Sequence, residues 1–265
     1  KNASEAAIRI DLAKKKRLLA LNPRDALLLS DMALQHANLG QRKSSEHLLY
    51  RALQHAPKSR HVLRSYTRLL CHLRRPDEAL HTLRVTGRSG FDPWICAAEL
   101  SVSALTGSKT MRWASAASLL QDDNFSSLDK SELAAEIATL EFSSGNLKKG
   151  NRAFEVSAND PTENTVAQIE LFSRKSWISN DNNAIDMSIS VEALAQSKYQ
   201  GDNFNSALEA CSMWQEIEPF SSRPAIFGTF LSTMQRANFD LGLAIGLQGL
   251  RSNWDDPALQ NNIAV

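Results

Sequence analysis

Cysteine is scarce in this chain of 265 residues, and the three present, Cys71, Cys96 and Cys211, lie far apart. No two have metal-ligand spacing, so they read as small buried side chains of a reducing compartment, with no metal site expected. Glycine (11) and proline (8) are few for the length, and apolar residues seldom alternate with period two. Both absences disfavour β-structure and leave an all-α fold. No run of about 18 apolar residues occurs, which argues against a membrane-spanning helix. The N-terminus does not resemble a signal peptide, so a soluble, cytoplasmic chain is expected. Walker, Rossmann, zinc and nucleophile-elbow motifs are missing, and neither catalysis nor a cofactor is expected.

What is present is an ordinary apolar content of 43%, enough for a sizeable core in one domain or two. The net charge of +1 hides an asymmetry. Residues 1–90 hold 18 Lys and Arg against 7 Asp and Glu, and the remainder holds 12 against 22. All six histidines also lie in the first part. His55 and His61 flank a loop, and His72 and His81 bracket a turn; they read as surface groups on a basic face. A chain polarised in this way is expected to bind different things at its two ends.

Residues 25–57 read DALLLSDMALQHANLGQRKSSEHLLYRALQHAP, two amphipathic runs around Gly40 with a closing proline. Counted from Ala26, Leu29, Met32, Ala33 and His36 take positions 4, 7, 8 and 11, and Gly40, Ser45, Leu49, Ala52 and Pro57 take 15, 20, 24, 27 and 32. This resembles the tetratricopeptide repeat, a helix pair with a large–small set on helix A, small–large–small on helix B, and a final proline. His36 and Ser45 depart from it, standing where the family prefers tyrosine and alanine. The resemblance implies a right-handed α-α superhelix, a solenoid of about six helix pairs, irregular in the middle.

In that register a leading helix over 1–22 precedes repeats at 26–59, 60–93, 94–121, 131–163, 188–221 and 223–256, and 257–265 begins a further helix. Repeat two places Leu63, Tyr66 and Thr67 at 4, 7 and 8, and Pro76-Asp77-Glu78 opens its helix B. Repeat three is irregular, its second helix running from Thr110 to Leu120 with Met111, Ala114 and Ala117 at helical spacing. Ser4 and Ser131 are the expected N-caps of the leading helix and of repeat four. A second irregularity covers 164–187, where SNDNN interrupts a helical pattern. Gly201 sits one position early for its turn. Gly242, Gly246 and Gly249 fall in the last helix B, where small residues allow close helix approach. Both ends read as cuts through a longer superhelix, so a piece of a larger protein is expected.

By the family resemblance, positions 2, 5, 9, 12 and 13 of each helix A face a concave groove. In repeat one these include Leu27, Ser30, Leu34 and Asn38, an apolar patch. In repeat two they are His61, Arg64, Arg68, Cys71 and His72. Arg60, Arg64, Arg68 and His72 recur every four residues and so form one stripe on one helix face. Like charges in a row repel, and such a stripe is more stable against an anion; arginine suits bidentate contact with carboxylate or phosphate. Read blandly, it is a solvated basic face. Repeat four would add Glu132, Ala135, Thr139, Phe142 and Ser143 to the groove. The expected function is a protein-interaction scaffold binding an acidic or acidic-apolar peptide or partner domain, as the interaction or regulatory arm of a larger protein. The alternative is a nucleic-acid-binding helical repeat using the basic half; against it, the repeats share no polar code pair.

Overall fold

In the computed structural model, which describes residues 3–108, 113–178, 185–235 and 238–264, the described residues form fifteen α-helices and no strand. They are α1 (Ala3–Leu21), α2 (Ala26–Asn38), α3 (Arg42–His55), α4 (Arg60–His72), α5 (Pro76–Val85), α6 (Pro93–Thr106), α7 (Trp113–Gln121), α8 (Ser127–Ser143), α9 (Leu147–Ala158), α10 (Glu163–Arg174), α11 (Val191–Gln200), α12 (Phe204–Ile217), α13 (Arg223–Phe230), α14 (Phe239–Ser252) and α15 (Pro257–Ala264). A π-helical stretch, Leu231–Gln235, extends α13. The Thr110, Met111 and SNDNN readings lie outside what is described, while Ser4 stands inside α1, which runs from Ala3, rather than ahead of it as a cap.

Helix starts follow local chemistry. Asp25 accepts from the Leu28 N–H at 2.9 Å, Ser59 from Val62 at 3.4 Å and Asp92 from Trp94 at 3.1 Å. Each satisfies an N–H that the first helical turn leaves without a partner. Pro76 opens α5, with Asp77 and Glu78 in the first turn where the helix dipole favours acid. Ser126, not Ser131, caps α8, accepting from the Asp129 N–H at 3.2 Å. Ser131 is instead buried one turn inside the helix, its hydroxyl bonded to the Ser157 carbonyl (3.0 Å) and the Thr165 hydroxyl (2.9 Å).

The turns between paired helices need a left-handed residue. Gly40 (φ 73°) and Gly145 (φ 79°) supply it without strain. One repeat length after Gly40, Arg74 takes the same conformation at φ 58°. Gly201 is not left-handed (φ −89°); its neighbour Asp202 is, at φ 55°.

The contacts divide the chain into two units. The first joins the two ends of the sequence, Lys1–Arg74 with Phe204–Val265. In it α2 and α3 form one hairpin and α13 and α14 another, and α2 also touches α4 and α14. The pairs pack through the anticipated positions: Leu29, Met32, Ala33, Leu49, Ala52 and Leu63 are all buried. Ser45 fits at its alanine position because its hydroxyl donates to the Ala33 carbonyl at 2.6 Å. Glycines let α14 lie close to its neighbours. A Cβ on Gly249 would come within 2.4 Å of the Ala225 Cβ, and one on Gly246 within 2.5 Å of Ile263 Cγ1.

The second unit is Arg75–Asn203. Its strongest pairing is the α8–α9 hairpin, with α6 and α10 against α8. Its core holds Ala138, Phe142, Ala153, Phe154, Ile169, Phe172 and Ile178. Phe172 is fully buried, with ring centroids of Phe142, Phe154 and Trp177 at 5.1, 6.4 and 6.2 Å. Phe142 therefore packs the core rather than facing a groove.

Candidate partner-binding face

Helix α4 covers the whole stripe, so Arg60, Arg64, Arg68 and His72 do stand on one face of one helix. Its opposite positions, Val62, Leu63, Tyr66, Leu69 and Leu70, are buried, which fixes the rotation of the helix. His61 is exposed, Arg60 and Arg64 are half-buried and engaged in contacts of their own, and Arg68 is 51% exposed at the side chain. On the adjoining α2, Leu27 is 59% and Leu34 36% exposed. Ser30 does not line this face. It is buried, with its hydroxyl donating to the Ala26 carbonyl at 2.9 Å, the ordinary way a helical serine satisfies itself.

Two of the singled-out residues already have partners from the far end of the sequence. Arg68 Nη2 lies 2.7 Å from Glu218 Oε1, and Asn38 Nδ2 donates to the Glu216 carbonyl at 2.9 Å. The indole N–H of Trp214 donates to the other Glu218 oxygen at 3.1 Å, and the Arg223 guanidinium lies 5.2 Å from the Trp214 ring centroid. His72 sits in the same cluster. Burial, with the Arg68 and Arg223 charges, lowers its pKa to about 4 against the opposing pull of Glu218, so the ring is neutral at pH 7.

The second unit holds a feature that sequence reasoning missed: carboxylates buried between successive helices. Glu132 accepts from the Thr162 hydroxyl and the Asn164 amide, both at 3.1 Å. Glu136 accepts from Gln168 Nε2 at 3.4 Å, and Glu170 from Gln200 Nε2 at 3.1 Å and Arg174 Nε at 3.2 Å. Burial raises the Glu136 pKa to about 7; hydrogen bonds from Gln168 and Ser101 oppose the rise, and the Glu132 charge adds to it. The available signal was spacing. Glu136 and Glu170 stand one repeat length apart, each followed by a glutamine near the next repeat's equivalent place.

Among the described residues no group of three or more His, Cys, Asp or Glu side chains is placed to hold a metal ion, and no helix is long and apolar enough to cross a membrane. Helix A with an N-cap, a left-handed turn residue, helix B, and buried large–small pairs make up the repeating element. The helix pairs are similar to tetratricopeptide repeats.

Solved structures similar to the chain are found at low identity. One is the APC/C hetero-tetramer Cut9–Hcn1, at 7% identity and a TM-score of 0.45, covering 98% of this chain and 45% of that one. Another is a tetratricopeptide repeat protein from Parabacteroides merdae, at 12% and 0.44, covering 90% and 97%. A third is Naa15/Naa10 bound to HypK-THB, at 13% and 0.31, covering 97% and 44%. The chain thus spans less than half of the matched Cut9–Hcn1 and Naa15/Naa10 chains. No family model matches it, and no curated protein is similar to it in sequence.

Proposed function

We propose that this tetratricopeptide-like chain is a protein-interaction scaffold, acting as the interaction or regulatory arm of a larger protein. Its α2–α4 face binds an acidic or mixed acidic-apolar segment. The supporting observation is the pairing of two kinds of group on that face. Leu27 and Leu34 stay exposed on α2, beside an α4 that presents His61 and Arg68. An amphipathic partner with leucines and glutamates on one side matches both, its apolar side chains giving affinity and its carboxylates fixing register.

A labelled amphipathic Glu/Leu peptide tests this by fluorescence anisotropy. Leu27→Asp should leave the helical circular dichroism and melting temperature nearly unchanged, since that side chain is 59% exposed, and weaken binding by about tenfold through lost apolar burial. Binding should fall only mildly between low and moderate salt. A single-stranded oligonucleotide bound with a steep salt slope, in place of the peptide, would move the assignment to phosphate recognition.

A further inference from the structure

Helix α14, in the first unit, is built inside out. Gly242, Gly246 and Gly249 are its buried side, and a Cβ on any of them would come within 2.7 Å of a neighbouring side-chain atom. Its large side chains stand on the other side. Leu243 is 44% exposed, Leu247 52%, and Phe239 at the start of the helix 66%. A surface helix ordinarily turns its large apolar groups to the core and its polar ones to water. Here the glycines take the close approach to α13 and α15, and an apolar face is turned to solvent. A contiguous apolar face of this kind marks an interaction surface.

The line nearly opposite the glycines is Asp240, Ala244, Leu247 and Arg251, all exposed. At 3.6 residues per turn these four fall within about 60° of one another. Their spacing of four, three and four reads the same in both directions. Laid antiparallel on a copy of itself, about a two-fold axis midway between Ala244 and Leu247, the line sets Asp240 against Arg251 and Ala244 against Leu247, twice each. Every position then meets its complement, acid against base and small against large; laid parallel, like meets like. Arg251 Nη1 makes a long contact of 3.7 Å with Glu5, and the side chain stays 40% exposed, which leaves a guanidinium edge for a second carboxylate. We infer that the outer face of α14 is a self-association seam, on which two copies of this chain pair antiparallel. The seam is separate from the α2–α4 face and stands whether or not that face binds a peptide. It is also narrow. A helix of 14 residues is about 21 Å long, so pairing buries a few hundred Å² per copy, under the roughly 800 Å² of a standard interface. The dimer is therefore weak and reversible, with a dissociation constant on the order of 10–100 µM.

Sedimentation equilibrium of the whole chain, from about 1 to 200 µM, tests this. Wild type should show a monomer–dimer equilibrium. Leu247→Glu should weaken it at least about tenfold, with the helical circular dichroism unchanged because the position is exposed. Asp240→Lys and Arg251→Glu should each weaken it by about tenfold, since both attractive contacts become repulsive. An equimolar mixture of those two variants should regain the wild-type affinity, because each then meets its opposite charge on the other chain. Leu241→Glu, exposed on α14 but off the line, should change nothing. A monomer at every concentration overturns the inference. A dimer that survives Leu247→Glu, or that Leu241→Glu dissolves, places the contact elsewhere and overturns it too. A mixture no tighter than its two components overturns the antiparallel pairing. Should Arg251→Glu lose helical signal along with its Glu5 contact, the Leu247→Glu and Leu241→Glu measurements decide alone.

Discussion

Both units hold carboxylates against arginines, and the second also buries carboxylates against neutral donors. In the first, Glu218 and Asp255 sit at helix ends against arginines. In the second, Glu132 and Glu136 are buried between helices and accept from hydroxyl and amide donors. A cation compensates a buried charge more fully than a neutral dipole does, and at Glu136 burial outweighs the neutral donors, so the protonated acid is favoured there. One repeating architecture thus carries two shifted groups, His72 in the first unit and Glu136 in the second, whose stability contributions respond to pH with opposite sign.

The largest expected effect tests whether the units stand apart at all. Phe172→Ala removes the fully buried ring that three aromatic neighbours surround, and should cost about 3–5 kcal/mol in chemical denaturation. Amide exchange should accelerate over residues 75–203 and leave α2 and α14 protected. Equal acceleration in both units would erase the distinction.

The pH test sharpens it. The Glu136 pKa is raised from 4.5 to about 7 on folding, so between those values the folded chain holds a proton that the unfolded chain has released. Its contribution is present below pH 4.5 and is lost as pH rises through 7. Glu136→Gln should therefore stabilise the second unit at pH 8, by up to about 3 kcal/mol, and change little at pH 4.5. His72 runs the other way. Its pKa falls from 6.5 to about 4, so the unfolded chain binds the extra proton and stability declines as pH drops from 6.5 towards 4. His72→Gln should flatten that acid limb of the first unit. Amide exchange at pH 5 and pH 8 reads both; slopes of the same sign would refute the contrast.

The smallest effect should be common to both units. Arg74 and Asp202 hold left-handed conformations that glycine adopts freely. Arg74→Gly and Asp202→Gly should each raise stability by about 0.5–1 kcal/mol, the Arg74 gain being trimmed by loss of its attraction to Asp256. A melting temperature that falls in either variant would place the strain elsewhere.

How legible all this was in sequence depends on range. The helices from α2 to α5 could be read because Leu29, Met32, Leu49, Leu63 and Leu83 repeat in register, and each packs against near neighbours. The start of α8 is ambiguous in sequence because Ser126, Ser127 and Ser131 all offer cap chemistry, and only packing shows that Ser131 is interior. The repeat register puts Ser30 in the groove, and a position number says nothing of a hydroxyl turned back to Ala26. The buried glutamates were missed because a local pattern assigns charge to the surface, and their amide partners lie about one repeat away. Glu218 was beyond reach. Arg68 reads as a stripe member, and nothing nearby in the sequence announces a carboxylate from so far along the chain.

That distance also sets an order of assembly. The first unit is discontinuous, its two parts separated by all of residues 75–203. During synthesis from the N-terminus, residues 75–203 are complete and can fold before Phe204 onward has been made. Helices α1–α4 can pair among themselves, α2 with α3 above all, but the cationic end of α4 stays uncovered until α12–α15 follow. Contacts as far apart as Arg68–Glu218 raise contact order, and closing them belongs to the late, slow part of folding. For that interval the nascent chain displays the basic helix ends open to any acidic protein nearby, and completion of the last helices closes them.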